Sequence, residues 1–220
     1  MAINYSRQQI TDLDIKKVSQ TLKSDYLTTG PQITLFENSI KKKVNSKFSV
    51  VVNSATSALH ISCLALGLKK GDYLWTASNS FVASANCGLY CNAKIDLVDI
   101  ELETYNIDIN KLEKKLKFAK KKNILPKIIV PIVFAGQSPD MEKIWKLSKK
   151  YKFKIVEDAS HALGAKYNHI KVGSCKYSHL TVFSFHPVKM ITTGEGGAVT
   201  TKDKQLWKKL LAYRSHGVER

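Results

Sequence analysis

The sequence has 220 residues, 44% of them hydrophobic, so it is long enough to bury the core of one large domain. It contains no apolar run of about 18 residues and no apolar leader, which excludes a membrane span and predicts a cytoplasmic location. The formal charge of +17 suggests nucleic-acid binding, but the lysines alternate with apolar helix positions, not with aromatic residues. We therefore expect a solubilising surface that attracts small anionic substrates and has no nucleic-acid partner.

The cysteines give no sign of a metal site or of disulfides. They lie inside apolar segments and lack C-x-x-C spacing. We expect all four to be reduced packing residues, namely Cys63, Cys87, Cys91 and Cys175.

The N-terminal segment differs in pattern from the rest of the chain. A helix is predicted over residues 7–22, followed by the irregular stretch Y-L-T-T-G-P and a second helix from about Leu35. We expect residues 1–34 to pack outside the sheet and residues 35–220 to form one large domain. Thr28, Thr29 and Gly30 are either plain turn residues or part of a ligand mouth.

From about residue 48 onward, short apolar runs alternate with longer amphipathic ones, which predicts an α/β fold. Strands are predicted over residues 50–52, 73–76, 95–98, 127–134, 154–156, 180–185 and 197–200. Helices are predicted over residues 55–66, 81–90, 110–122 and 141–151. The strand-helix-strand order over residues 127–156 implies parallel strands with a right-handed crossover.

Ligands of open α/β sheets bind beyond the carboxyl ends of the strands, so the residues that follow each strand are the candidates for a site. After the first strand, S-A-T-S-A opens a helix and offers backbone N–H groups with the hydroxyls of Ser54, Thr56 and Ser57 to a phosphate. The same residues would also serve as an ordinary helix cap. The motif alone leaves both interpretations open.

Two further strand ends carry groups suited to catalysis. In E-D-A-S-H-A-L-G-A, Asp158 could cap a turn, bind a metal or face a cofactor ring, and His161 could be an ordinary turn residue. In F-S-F-H-P-V-K-M-I, Lys189 has apolar neighbours, so desolvation would lower its pKa and favour an amine nucleophile, unless it is a surface lysine. A phosphate-type turn, a strand-end acid and such a lysine together match the needs of pyridoxal phosphate (PLP).

At these motifs the chain resembles the DegT/StrS-type sugar aminotransferases of PLP fold type I. The resemblance runs over residues 5–217 and is carried by L-T-T-G-P, N-S-A-T-S-A-L, S-F-V-A-S-A-N, E-D-A-S-H-A-L-G, F-S-F-H-P-V-K-M-I-T-T-G-E-G-G-A and R-S-H-G. It implies a large domain whose mostly parallel sheet is covered by helices on both faces. It also implies a small C-terminal domain, which we expect to be absent from this sequence.

The resemblance assigns roles by position. Lys189 matches the lysine that binds PLP covalently, Asp158 the acid at the ring nitrogen, and His161 a residue near the ring hydroxyl. Further cofactor contacts, by stacking or to the phosphate, are implied for Phe81, Ala55, Thr56 and Ser184. Substrate contacts are implied for Tyr5, Leu27, Thr28 and Ser54. For Phe81, a packed core position is the alternative.

The activity implied by the resemblance is transfer of an amino group from an amino acid, glutamate in the family, to a UDP-linked 4-keto sugar. Such enzymes act in surface-glycan or pseudaminic acid biosynthesis as homodimers. Three alternatives stay open. They are a sugar dehydratase of the same family, which has histidine in place of Lys189, a catalytically weak cofactor-binding remnant, and a basic nucleic-acid-binding protein.

Overall fold

The alternating pattern folds into a seven-stranded sheet in the computed structural model, which describes residues 6–218. Its strands are β1 (Phe48–Val52), β2 (Tyr73–Ala77), β3 (Lys94–Val98), β4 (Ile128–Val130), β5 (Lys154–Asp158), β8 (Leu180–Ser184) and β9 (Gly197–Thr201). Two short strands, β6 (Lys166–Tyr167) and β7 (Ile170–Lys171), form a separate hairpin. The order in the large sheet is β1-β9-β8-β5-β4-β2-β3, and β9 runs antiparallel to both of its neighbours while the other pairs are parallel.

Helices cover both faces of the sheet. They are α1 (Asp12–Leu22), α2 (Pro31–Val44), α3 (Ala55–Ala65), α4 (Ala83–Leu89), α5 (Ile109–Lys122), α6 (Met141–Tyr151) and α7 (Lys204–Arg214), with a 3₁₀ turn over Phe134–Gly136. Alternate strand residues point to opposite faces. The side chains on one face of the sheet pack on α3, α4 and α7. Those on the opposite face pack on α5 and α6 at one end of the sheet and on α2 at the other end. The predicted α/β class with a mostly parallel sheet is thereby confirmed.

Local chemistry moves several predicted boundaries. Helix α1 begins at Asp12, not at residue 7, because Thr11 and Asp14 form a reciprocal capping box. Helix α2 begins at Pro31, not near Leu35, because proline suits the first turn of a helix, where its missing N–H leaves no bond unmade. The domain boundary after residue 34 stays a prediction.

The strand predicted over residues 127–134 is wrong at its carboxyl end. Strand β4 stops at Val130 because Pro131 has no N–H to donate to a neighbouring strand, and Phe134 instead begins the 3₁₀ turn. The β6–β7 hairpin and α7 were not predicted. Helix α7 begins at Lys204 because the preceding residue, Asp203, caps it by accepting hydrogen bonds from the N–H groups of Gln205 and Leu206.

The charged surface has the form that the pattern predicts. In α5, Leu112, Leu116 and Ala119 are buried, while the lysines at its carboxyl end are exposed. The four cysteines are buried and unbridged. Within residues 6–218, no helix is both long and apolar enough to cross a membrane, and no group of three or more histidine, cysteine or acidic side chains could hold a metal ion.

Candidate active site

A cleft of about 880 Å³ lies at the carboxyl ends of five strands of the large sheet. Its walls come from the segments that follow β1, β2, β4, β5 and β8, at residues 53–59, 79–83, 132–134, 158–161 and 184–189. Carboxyl ends of parallel strands meet at one edge, so segments far apart in sequence converge there. The three segments predicted to carry the chemistry all line this cleft.

The first wall is the N-terminus of α3. The Ser54 side chain caps the helix by accepting a hydrogen bond from the Ser57 N–H at 3.1 Å. Within the described part of the chain, the N–H groups of Ala55 and Thr56 have no acceptor. Both residues line the cleft, so their N–H groups and the helix dipole can bind an anion.

Strand β9 passes close behind this helix start. A Cβ atom on Gly197 would lie 2.5 Å from the Ala55 nitrogen, which is closer than real side chains come. Glycine is therefore required at this position because β9 and the first residues of α3 are in backbone contact.

The second wall carries Asp158, the last residue of β5, which is only 8% exposed. Its backbone is anchored by two hydrogen bonds, from its own N–H to the Pro131 carbonyl and from the Val133 N–H to its carbonyl, both 2.9 Å long. Its carboxylate oxygens accept hydrogen bonds from the hydroxyls of Ser84 and Ser160, each at 2.6 Å. The acid is thus buried, fully oriented and part of the cleft wall.

Lys189 and His161 meet across the cleft. The Lys189 Nζ lies 2.7 Å from the His161 Nε2, and both side chains are partly buried. Burial lowers the pKa of Lys189, while the charge of Asp158 opposes this effect. Burial, and after it the Lys189 charge, also lowers the pKa of His161, with Asp158 again opposing. Both shifts favour proton loss, so the pair is suited to present an uncharged amine as a nucleophile.

The lowered pKa of Lys189 agrees with the sequence argument, but the apolar neighbours do not enclose it. Met190 and Ile191 are 50% and 47% exposed. The packing around Lys189 comes from the cleft, where Val188 and His161 also lie.

The other sequence-predicted site residues divide into two groups. Phe81 and Ser184 line the cleft, and Phe81 is 76% exposed, so its alternative as a core residue is wrong. Leu27 and Thr28 are exposed in the segment before α2 and do not line the cleft. Tyr5 lies outside the described residues.

Sequence reasoning missed three residues of the site. Ser84 and Ser160 bind the Asp158 carboxylate, and Asn79 lines the cleft while its amide donates to the Tyr105 carbonyl at 2.8 Å. The position of Asn79 just after β2 was a usable signal. No signal marked Ser84, which lies within the small-residue helix α4 and 74 residues from its partner.

An anion-binding helix start, a buried carboxylate and a half-buried lysine at one sheet edge define the large domain of a PLP-dependent transferase of fold type I. Within that class, the chain belongs to the DegT/DnrJ/EryC1/StrS aminotransferase family, whose model matches residues 8–220.

Known relatives are similar over nearly the whole chain. A UDP-4-amino-4,6-dideoxy-N-acetyl-β-L-altrosamine transaminase from Campylobacter jejuni is 43% identical over 98% of this chain and 56% of its own length. The spore coat polysaccharide biosynthesis protein SpsC of Bacillus subtilis is 35% identical over 98% of this chain and 54% of its own. The chain thus spans a little over half the length of these curated relatives.

Solved structures agree with the fold. PseC of Helicobacter pylori, an aminotransferase involved in the biosynthesis of pseudoaminic acid, matches 99% of this chain and 57% of its own with a TM-score of 0.89 and 37% identity. A putative sugar aminotransferase from Streptococcus pneumoniae, in its PLP form, matches 96% of this chain and 57% of its own with a TM-score of 0.85 and 29% identity.

Proposed function

We propose that this chain binds PLP and belongs to an aminotransferase that moves an amino group from an amino acid, glutamate, to a 4-keto sugar linked to UDP. The observation that carries the proposal is the 2.7 Å contact between Lys189 and His161 in the cleft that Asp158 also lines. These groups are the amine and the acid that PLP chemistry requires. Membership of the aminotransferase family supports the same reaction.

The residues of the cleft fit the cofactor group by group. The Ala55 and Thr56 N–H groups would hold the phosphate, helped by the Ser184 hydroxyl. The Phe81 ring, exposed on the cleft wall, would stack on the pyridine ring. Asp158 would hold a proton on the ring nitrogen. A buried carboxylate with a fixed orientation suits this role, whereas an ordinary surface acid does not.

When bound, PLP supplies an electron sink that stabilises negative charge at the reacting carbon. Lys189 would first bind the cofactor through its amine and, once the amino donor displaces it, carry the proton between two carbon atoms. The contact with His161 would give that amine an acceptor for its proton. Asp158 would keep the ring nitrogen protonated, so the charge that develops in the ring is offset.

The acceptor is proposed to be a UDP-linked sugar, and the relative from Campylobacter jejuni supports this substrate class. The pathway proposed from the same relative and from PseC is pseudaminic acid or surface-glycan biosynthesis. The formal charge of +17 would draw a nucleotide diphosphate toward the protein.

We further propose a homodimer, since Val82, Leu89 and Tyr90 around α4 are each at least half exposed, and a second copy would cover them.

Reductive labelling tests this proposal directly. The protein is incubated with PLP, reduced with borohydride, digested and analysed by mass spectrometry. We expect the pyridoxyl label on Lys189, and its loss in the Lys189→Ala variant. The matched control is Lys202→Ala, which removes an exposed lysine just after β9 and should leave the label at Lys189.

A label spread over surface lysines, or absent from the protein, would contradict the proposal at the level of cofactor binding. The amino-transfer step is tested separately by following the absorbance of the bound cofactor. Glutamate should change the spectrum, and a UDP-linked 4-keto sugar should reverse the change. A spectrum that ignores both compounds, in a protein labelled at Lys189, would limit the proposal to cofactor binding.

A further inference from the structure

Two serine hydroxyls hold the two oxygens of the Asp158 carboxylate. The Ser84 Oγ donates to the Asp158 Oδ2 at 2.6 Å, and the Ser160 Oγ donates to the Asp158 Oδ1, also at 2.6 Å. The Ser160 N–H adds a third hydrogen bond to Oδ1 at 3.1 Å. A carboxylate has only acceptors, so the direction of each bond follows from chemistry. Short hydroxyl-to-carboxylate bonds of this kind are the strong, orienting ones.

The two donors do not anchor the residue itself. The Asp158 backbone is already held in the sheet by the Pro131 carbonyl and the Val133 N–H. The two hydroxyls instead fix the rotation of the carboxylate plane, because the backbone hydrogen bonds leave that rotation free. Oδ1 accepts two of these bonds and Oδ2 accepts one, so Oδ2 keeps a lone pair, and because Asp158 lines the cleft, that lone pair is available to a ligand there.

Helix α4 holds Ser84 rigidly. Ser84 is fully buried, and a Cβ atom on Gly88, one turn further on, would lie 2.5 Å from the Ile95 Cδ1 and 3.2 Å from the Leu74 Cβ. The helix therefore sits against β2 and β3 as closely as glycine allows. The Ser84 N–H also donates to the Phe81 carbonyl at 3.0 Å, so the turn that leads into α4 links Phe81 to the donor to Asp158.

We propose that Ser84 and Ser160 are positioning residues that turn the Asp158 carboxylate toward the heterocyclic nitrogen of the cofactor and hold it there. This inference rests on the proposed function and extends it to two residues outside the lysine, the acid and the phosphate contacts. Ser84 acts from the α4 side and Ser160 from the loop after β5. Asp158 then holds the ring-nitrogen proton without first paying the entropy of ordering its own side chain.

The experiment uses PLP labelled with ¹⁵N at the ring nitrogen, bound to the full chain. The NMR shift of that nitrogen reports its protonation, and a fluorescence titration gives the PLP affinity. In the wild type we expect a protonated nitrogen. In Ser84→Ala the shift should move toward the unprotonated value and the affinity should fall about tenfold, as expected for loss of a hydrogen bond to a charged group. Ser84→Thr, which keeps the hydroxyl, should restore both values.

Two further variants separate positioning from folding. Ser62→Ala removes another fully buried helical serine, whose hydroxyl donates to the Ala58 carbonyl at 2.6 Å, and should leave the ring nitrogen protonated. Ser160 lies in a half-buried loop, so Ser160→Ala is open to test even if Ser84→Ala folds poorly. It should move the ¹⁵N shift in the same direction as Ser84→Ala.

The outcomes distinguish this inference from the function on which it rests. A wild-type chain that binds no PLP overturns both. A wild-type chain with a protonated nitrogen that stays protonated in both alanine variants overturns the positioning role and leaves the proposed function standing. A shift in Ser62→Ala equal to that in Ser84→Ala would reduce the effect to general loss of packing and overturn the inference as well.

Discussion

Glu157 is a buried acid whose side chain points to the face of β5 opposite to that of Asp158, and we expect it to make the stability of the protein depend on pH. It is 5% exposed, and its Oε2 accepts a hydrogen bond from the Thr181 hydroxyl at 2.7 Å. Burial raises the pKa of Glu157 from its ordinary value of 4.5 to about 7, although hydrogen bonds from Thr181 and Ser178 oppose the rise. No cation is paired with it in the described residues.

The sign and size of the effect follow from proton linkage. The native state keeps the Glu157 proton up to a higher pH than the unfolded state, so the free energy of unfolding falls as pH rises from 4.5 to about 7. A difference of this size in pKa corresponds to about 3 kcal/mol, most of which is lost between about pH 5 and pH 8. This is a large part of the stability of an ordinary domain.

The test compares the wild type with Glu157→Gln, which is neutral at every pH and keeps a carbonyl that can accept from Thr181. Denaturant unfolding, measured at several pH values from about 5 to 8, gives the free energy of each protein. Relative to the wild type, the variant should gain about 2 to 3 kcal/mol across this interval. Taking the difference cancels the titration of all other groups.

The control is Glu103→Gln, since Glu103 is an exposed acid in a loop. It should leave the wild-type pH dependence unchanged. If the difference between Glu157→Gln and the wild type is flat across the interval, the argument that burial holds the proton on Glu157 is refuted.

Two further changes test the cleft. Phe81→Ala should weaken PLP binding about tenfold in a fluorescence titration while the melting temperature hardly changes, because the ring is already 76% exposed in the protein. Phe118→Ala, at a similarly exposed ring on α5, should alter neither quantity, and equal PLP affinity in both variants would contradict the stacking role. Gly197→Ala should lower the unfolding free energy by about 2 kcal/mol and weaken phosphate binding, because its Cβ would press on the Ala55 nitrogen. A Gly197→Ala protein with wild-type melting and wild-type affinity for inorganic phosphate would show that the contact relaxes freely.

The sequence was most informative where one local pattern decides the structure. Helix α6 was predicted over the residues that form it, because its apolar residues recur at helical spacing, and in the structure Asp140 caps it. The strand ends that carry Asp158 and Lys189 were found from apolar runs alone, and the family motifs supplied their proposed roles. Boundaries such as the carboxyl end of β4 were missed because the apolar run continues through Pro131, although Pro131 has no N–H and interrupts the regular strand there.

Tertiary structure decided which distant groups meet. Nothing in the local sequence brings Ser84 to Asp158 or Lys189 to His161, since these pairs are 74 and 28 residues apart. They meet because β2, β4, β5 and β8 are parallel neighbours or near neighbours whose carboxyl ends share one edge. The same packing makes Lys189 half-buried, whereas its apolar neighbours in sequence stay largely exposed. Sequence alone therefore proposed the reacting groups, and only the strand order determined their distances, because strand pairing is a long-range property that no local pattern encodes.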